Sequence, residues 1–311
     1  MRIAIVGAGL AGLSCGVRLR DAGHAVALFD KGRGPGGRLS HRRVATPSGE
    51  ARFDHGAQYF TARDPDFRRQ LDAWARDGLA APWPAAGDDA WVGVPGMNAP
   101  AKALAAGLDV TCSARVERLS RDGDGWRLSG EEWEAGPFDA AAVAMPAEQA
   151  GALVRPFAPG FADAADATPA EPCWTVMAAF PSRLPIAGDV VKRRGPIGWA
   201  ARDSAKPGRS GPESWVVQAS PEWSREHLEA SPAAVLPGLL AALAEVAGGP
   251  LPDPAAAAAH RWRYARSGAL GRDDLWDAGL KLGVCGDWLL GPRVECAWVS
   301  GHRLAGAILA G

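Results

Sequence analysis

Apolar residues open the chain as a short continuous run over residues 3–6, which breaks at Gly7 and resumes at Leu13, Val17 and Leu19 with helical spacing. This pattern predicts a buried strand, a tight turn and a helix. A second run, AVALFD, predicts another strand ending in Asp30. Beyond it, Phe67, Leu71, Trp74 and Leu79 recur at helical spacing behind Asp64, a residue suited to cap a helix start. Proline and glycine dominate residues 82–100, which read as a connection. AKALAAGL predicts a helix, and FDAAAVAMP predicts a buried strand halted by Pro146. Between them, DVTCSARVERLSRDG and GWRLSG are two alternating segments of an expected hairpin with a glycine turn.

From about residue 150 the texture changes. Proline-rich loops frame TVMAAF, PIGWAARDS and SWVVQAS, which predict strands of a mainly antiparallel sheet, followed by a helix over 236–246. The chain then returns with RWRYARSG, KLGVCGD and a final helix over 297–309. The pattern predicts a nucleotide-binding domain from residues 1–75, 97–150 and 255–311, with a second domain, 76–96 and 151–254, inserted between its parts.

Composition narrows the function class. A length of 311 residues suits roughly two domains, and 47% hydrophobic with 22% charged residues is ordinary for a soluble globular protein. The formal net charge is −1 and no long basic run occurs, which argues against nucleic acid and against attraction to an anionic membrane surface. The opening MRIAIVGAGLAGL has a charge followed by apolar residues, but glycines break the run and it is already used as a strand, so no targeting segment is expected. AAVLPGLLAALAEVAGG contains Pro237 and Glu245 and falls short of a bilayer span; an amphipathic helix on a domain surface is expected. Cys15, Cys112, Cys173, Cys285 and Cys296 are dispersed and odd in number, which reads as reduced thiols of a cytoplasmic protein. Neither they nor the six histidines show metal-ligand spacing, so no metal is expected.

The candidate chemistry begins at the first turn. Gly7 allows the turn, Gly9 lets the backbone approach a pyrophosphate, and Gly12 lets helix and strand pack closely, with free N–H groups of the helix start facing the phosphates. GxGxxG alone is weak in a chain with 39 glycines. Here it follows a strand, opens a helix and precedes Asp30, eighteen residues past Gly12, where a carboxylate can accept hydrogen bonds from a ribose diol. An acid at that strand end disfavours a 2′-phosphate on the nucleotide. Next comes KGRGPGGRLSHRR, a second glycine cluster in which Gly36 and Gly37 free the backbone and Arg38 offers a charge-assisted contact.

A second constellation lies near the other end. In LGVCGDWLLGPRVECAWVSG, a strand over 282–285 leads to Asp287 at the carboxyl edge of the sheet, where open α/β folds bind ligands. There the carboxylate can bond a polyol chain. The helix expected to begin near Glu295 to Ala297 would present a positive end to a reduced isoalloxazine. A nicotinamide dehydrogenase has no evident use for this second site. Flavin adenine dinucleotide has, which predicts resident FAD in an α/β fold: a Rossmann-type FAD-binding domain with an inserted, mainly antiparallel α+β substrate domain.

Together, GAGLAG, FDKGRGPGGR, FDHGAQYFTAR and GDWLLGPRVECAWVSG resemble the bacterial renalase-like members of the flavin amine-oxidase superfamily. The similarity runs over nearly the whole chain and takes in ARDSAKPGR and HRWRYAR. This resemblance implies a p-hydroxybenzoate-hydroxylase-like architecture and non-covalent FAD. It also implies oxidation of 2- or 6-dihydro isomers of NAD(P) to NAD(P)+, with molecular oxygen as acceptor and hydrogen peroxide as product. By matching motif positions it implies FAD contacts at Gly7, Gly9, Ala11, Gly12, Asp30, Lys31, Gly37, Arg38, Gln58, Val116, Asp287 and Val294.

On the substrate side, His260, Trp262 and Tyr264 alternate with arginines and share one face of a strand, a wall for a planar ring or a packed domain interface. Trp199, Arg202 and Lys206 are weaker candidates for gripping substrate phosphates, a solvated basic loop being the alternative; Tyr59 and Trp288 are candidates for lining the cavity or for plain core. An amine oxidase of the same superfamily is the rival reading, although only Tyr59 and Tyr264, with Trp288 or Trp298, are available for an aromatic cage around a small-molecule amine. A flavin hydroxylase is less suited, because its segment after the Gly-Asp pair usually carries a histidine and GDWLLGPRVE has none. A non-catalytic flavin-binding module is the third reading.

Overall fold

The structure, a computed structural model, describes residues 1–123 and 125–311. Its first layer is a six-stranded sheet in the order Leu275–Asp277, Leu282–Val284, Ala140–Val143, Arg2–Val6, Ala25–Phe29, Asp109–Thr111. All neighbours are parallel except the Leu275–Asp277 edge strand. Ile3, Ala4, Ile5 and the whole of Ala140–Val143 are buried, because a parallel sheet is covered on both faces and selects continuous apolar runs. From Arg2–Val6 the chain crosses to Ala25–Phe29 on one side and later reaches Ala140–Val143 on the other. The sheet therefore has its switch point beside Gly7, where such folds bind ligands.

The last helix, Val294–Ala310, closes this layer by crossing the first, Leu10–Asp21. The crossing is close: a Cβ at Gly301 would stand 1.9 Å from the Ala11 carbonyl oxygen, and Ser14 Oγ donates to the Trp298 carbonyl at 2.8 Å. The helix begins three residues before the expected 297, at Val294. Asp64 caps Pro65–Arg76 as expected, accepting from the N–H groups of Asp66 and Phe67.

The second layer is a five-stranded antiparallel sheet in the order Val190–Arg194, Ile197–Arg202, Glu213–Ala219, Glu171–Phe180, Ala256–Arg266. Helix Pro232–Ala247 covers one face through Val235, Leu239, Ala242 and Leu243. The opposite face receives the hairpin His41–Thr46 with Gly49–Asp54, packing Ala51 and Phe53 against Met177, Ala179 and Val216. This hairpin is absent from the sequence expectation because HRRVAT looks like a solvated basic loop; one alternate face is apolar enough to bury. The expected division at residue 255 cuts through the sheet, since Ala256–Arg266 pairs with Glu171–Phe180.

The hairpin expected from residue 109 onward is also redrawn. Asp109–Thr111 joins the parallel sheet, and the antiparallel unit is Arg118–Asp122, Gly125–Ser129 and Glu134–Phe138. Its expected glycine turn includes Asp124, which lies outside the described residues. Among the described residues no helix is long and apolar enough to cross a membrane.

Candidate active site

Each glycine of the first loop has its own steric reason. Gly7 has φ +105°, and a Cβ there would stand 2.4 Å from the Ala144 carbonyl oxygen; at Gly12 it would stand 2.0 Å from the Gly7 carbonyl oxygen. At Gly9 a Cβ would meet no protein atom within 4 Å. Helix Leu10–Asp21 starts after Gly9 without a side-chain cap, so its first N–H groups remain available to an anion, with buried Ala11 in that first turn. Asp30 accepts from the N–H groups of Ala8 and Gly32, both at 2.6 Å. Those bonds aim the carboxylate along the loop and leave each oxygen a further lone pair for a hydroxyl.

The second glycine cluster lies directly against the first. Gly36 donates to the Ala8 carbonyl at 2.8 Å, and a Cβ at Gly37 would come within 3.4 Å of Gly9 Cα. On the other flank of Asp30, its N–H and carbonyl bond Thr111 and Ala114, which sets the half-buried Val116 downstream of the same edge. Lys31 is exposed, its Nζ 3.3 Å from Gln149 Oε1. An open phosphate cradle, a fixed carboxylate and a shallow flank fit the adenosine diphosphate half of FAD.

At the far end, Asp287 follows the strand Leu282–Val284 and is 6% exposed. Arg38 grips it in a bidentate pair, NH1 to Oδ2 at 2.9 Å and NH2 to Oδ1 at 2.6 Å, and Ser267 Oγ lies 3.2 Å from Oδ2. Arg38 also reaches the Ala265 carbonyl at 3.3 Å. The Gly286 N–H donates to Ser300 Oγ at 3.0 Å, so the turn is fastened to the last helix, which Val294 begins. Glu295, in the first turn and 3% exposed, accepts from the N–H groups of Arg63 and Asp64. It joins HGAQYFTAR to GPRVECAWVSG, and nothing in its spacing announced that. Trp288 is fully buried, donating to the Met145 carbonyl at 3.2 Å, and is core rather than cavity lining.

The three substrate-side candidates divide. Trp262 donates to the His55 carbonyl at 2.8 Å and stacks on the His55 ring at 5.4 Å and 27°; His260 meets both rings edge-on, at 4.5 and 5.2 Å. Tyr264, half-buried, stands one residue before the Ala265 carbonyl that Arg38 touches. The strand thus runs from the histidine pair to the Asp287 turn. His55, which lies within FDHGAQYF, completes this group. Burial first, then His260 and Arg42, pushes its pKa down from 6.5 to about 4, and its Nδ1 is buried without a partner. His260 is lowered as well, by burial and then by Arg42. Across the sheet, His260, Thr175, Gln218 and Trp199 are paired in line and share a face. Gln218 donates to the Gly56 carbonyl at 2.7 Å, and Trp199 meets Tyr59 at 5.3 Å.

Arg202 and Lys206 are neither phosphate ligands nor a solvated loop. Arg202 is 1% exposed, paired with Asp189 and Glu213 and lying over Trp215. Lys206 Nζ is wholly buried between Asp203 at 2.6 Å, Asp54 at 3.2 Å and Gln58 Oε1 at 3.3 Å. Arg209, His41 Nδ1 and the Met97 N–H also contact Asp54. Burial alone pushes Asp54 up, but Lys206, His41 and Arg209 outweigh it and hold the carboxyl well below the usual range. Asp203 is raised by burial and by Asp54. The Gln58 amide is used inside the protein, donating to the Asp54 and Gly56 carbonyls, so its side chain faces this network rather than a ligand.

Residues 5–74 match the model of an NAD(P)-binding Rossmann-like domain, and residues 85–309 that of a flavin-containing amine oxidoreductase. Among solved structures, cyclohexylamine oxidase from Brevibacterium oxydans IH-35A superposes with a TM-score of 0.72 at 14% identity, covering 99% of this chain and 98% of that one. A protein assigned as a protoporphyrinogen oxidase, from Exiguobacterium sp. 255-15, gives 0.78 at 14% identity, over 100% and 99%. A putrescine oxidase redesigned in its cofactor binding gives 0.69 at 14% identity, over 99% and 98%. These likenesses carry the fold.

Proposed function

The chain belongs to the flavin-containing amine oxidoreductases and is an FAD-dependent oxidoreductase; from that premise we propose that it oxidises 2- or 6-dihydro isomers of NAD(P) to NAD(P)+. In this reading oxygen is the acceptor and hydrogen peroxide the second product. Gly7, Gly9 and Gly12 with Asp30 would hold the adenosine half of FAD, Asp287 would hold its ribityl chain, and the helix that Val294 begins would serve its ring end. FAD supplies the hydride acceptor and the reaction with oxygen. The protein's part is to hold a planar donor flat, keep water out and orient the reacting carbon. His260, Trp262 and Tyr264 serve as that wall. No side chain is needed as acid or base, because hydride leaves a ring carbon and no heteroatom loses a proton.

The observation that carries this reading is the aromatic wall itself, His55, His260 and Trp262 in mutual ring contact. His55 and His260 are both shifted toward the neutral form, and Arg42 contributes to both shifts. Two uncharged rings beside the Trp262 indole, His260 edge-on to both its neighbours and Trp262 stacked on His55, suit a planar, uncharged dihydropyridine. The amine reading has in its favour the family match itself and, in the site, the tilted Tyr59–Trp199 pair at 5.3 Å. Lys192 Nζ already lies over Trp199, 5.0 Å from its ring centroid, which disfavours a second cation at that ring.

Anaerobic stopped-flow absorbance decides between them. Bleaching of the flavin band by a 2- or 6-dihydro isomer, but not by ordinary NADH or a panel of amines, and reversal by air with peroxide release, is the expected result. Bleaching by an amine and by no isomer refutes it.

A further inference from the structure

We propose that Gln218 selects the substrate by its carboxamide: the side-chain oxygen accepts a hydrogen bond from the amide N–H of a dihydronicotinamide, which makes Gln218 a specificity-determining residue. The inference deepens the function proposed above and rests on it. Backbone pairing puts Trp199, Gln218, Thr175 and His260 in one row across four strands, on the face that meets the loop from His55 to Tyr59. Most polar groups of this face are already used or sealed. Thr175 is wholly buried, the Trp199 indole N–H is buried, and the N–H of Trp262, two residues beyond His260 on the same side of the strand, goes to the His55 carbonyl at 2.8 Å. What the middle of the row offers a ligand is ring surface and the Gln218 amide.

The orientation of that amide is fixed. Gln218 Nε2 donates to the Gly56 carbonyl at 2.7 Å, and a carbonyl can only accept, so Oε1 is turned the other way. Gly56 itself is held in place. A Cβ there would stand 2.0 Å from the Arg38 carbonyl oxygen, the Ala57 N–H bonds that same oxygen at 2.9 Å, and Gln58 Nε2 gives the Gly56 carbonyl a second donor at 3.1 Å. Gln218 is half-buried, and its Oε1 has no hydrogen-bond partner among the described residues and is not sealed from solvent. A largely apolar wall with a pre-oriented polar group is how small-ligand sites fix orientation. A nicotinamide carboxamide brings the N–H that Oε1 lacks, and its capture settles which ring carbon reaches the reacting position. A ring with an acetyl group instead keeps the shape and the carbonyl but turns a methyl toward Oε1 and leaves the acceptor unpaired.

The test uses the full-length, flavin-loaded protein and two ligands, NAD+ and its 3-acetylpyridine analogue, which differ only by a methyl in place of the amide nitrogen. In calorimetric titration the wild type should bind NAD+ about tenfold more tightly than the analogue. Gln218→Met should weaken NAD+ by about tenfold, leave the analogue within about twofold, and so erase the preference. Its flavin content should match the wild type, because the Gly56 carbonyl keeps the Gln58 donor. Gln218→Asn, one methylene shorter, should lose the same preference with the amide chemistry intact, which covers a methionine variant that folds poorly. A wild type that binds neither ligand or both alike, a variant that weakens both equally, or loss of flavin from both variants overturns the inference and leaves the proposed function standing. That function falls only if no dihydro isomer bleaches the flavin in the stopped-flow assay, and the inference falls with it.

Discussion

Replacing Lys206 by methionine should destabilise the protein strongly, and by an amount that depends on pH. Lys206 stands 2.6 Å from Asp203 and 3.2 Å from Asp54, all three side chains 0% exposed. Methionine fills most of the volume but leaves Arg209 as the remaining full cation in contact with Asp54. Breaking a buried pair by removing one partner costs about 3–5 kcal/mol. With an unfolding entropy of roughly 2.1 cal/mol/K per residue, a chain of 311 residues has about 0.65 kcal/mol/K, so the melting temperature should fall by about 5–8 °C. The pH term follows from Asp203, whose pKa burial and Asp54 raise above its ordinary value. The native state therefore binds that proton more readily than the unfolded chain, and stability rises as pH falls through the raised pKa. Lys206 opposes the rise, so its loss enlarges it, and acid should return part of the stability. Thermal unfolding followed by circular dichroism should show a larger deficit at about pH 8 than at about pH 5. Equal deficits at both, or a shift below about 2 °C, would refute the reasoning.

Two further tests probe the ends of the site. Gly12→Ala places a Cβ 2.0 Å from the Gly7 carbonyl oxygen and should cost at least about 2 kcal/mol of stability along with the flavin, whereas Gly9→Ala, at φ −71° with no protein atom within 4 Å, should fold normally and lose flavin alone; melting temperature and flavin content of both purified variants check this. His55, neutral in the native state because its pKa falls from 6.5 to about 4, contributes stability that is full above 6.5 and lost as pH falls toward 4. His55→Phe should flatten that acid limb, worth about 3 kcal/mol at its foot, and an unchanged pH profile of the melting temperature would count against the burial argument.

Local signals carried far into this fold, and stopped where the chain meets itself at long range. The first strand, turn and helix could be read from residues 3–19 because each glycine there answers a backbone constraint within a few residues or against the adjoining strand. Asp30 was legible for the same reason, being placed by the strand that ends in it. Arg38 and Asp287 were both legible as site residues, but their mutual pairing across 249 positions was not. Lys206 reads as a surface cation in ARDSAKPGR; only the folded chain supplies Asp54, 152 positions away. Trp288 could not be settled between cavity lining and core, because its place beside Asp287 says nothing of which way the short helix Asp287–Leu290 turns its indole. His55 carries no local signal within FDHGAQYF, since its significance comes from Trp262, 207 positions on.

The crossing of the first and last helices sets a schedule for the protein's synthesis. Ser14 and Trp298, bonded at 2.8 Å, are 284 positions apart. At roughly 5–20 residues per second, about 15–60 s separate the emergence of the phosphate cradle from that of the helix which braces it. Through that interval the nascent chain displays a glycine loop without its backing, and Asp287, at the far end of the proposed cofactor site, has yet to leave the ribosome. On the proposed site, cofactor capture is thus a late, near-terminal event, and a chain terminated after residue 30 but before the last helix should keep its nucleotide motif and fail to retain flavin.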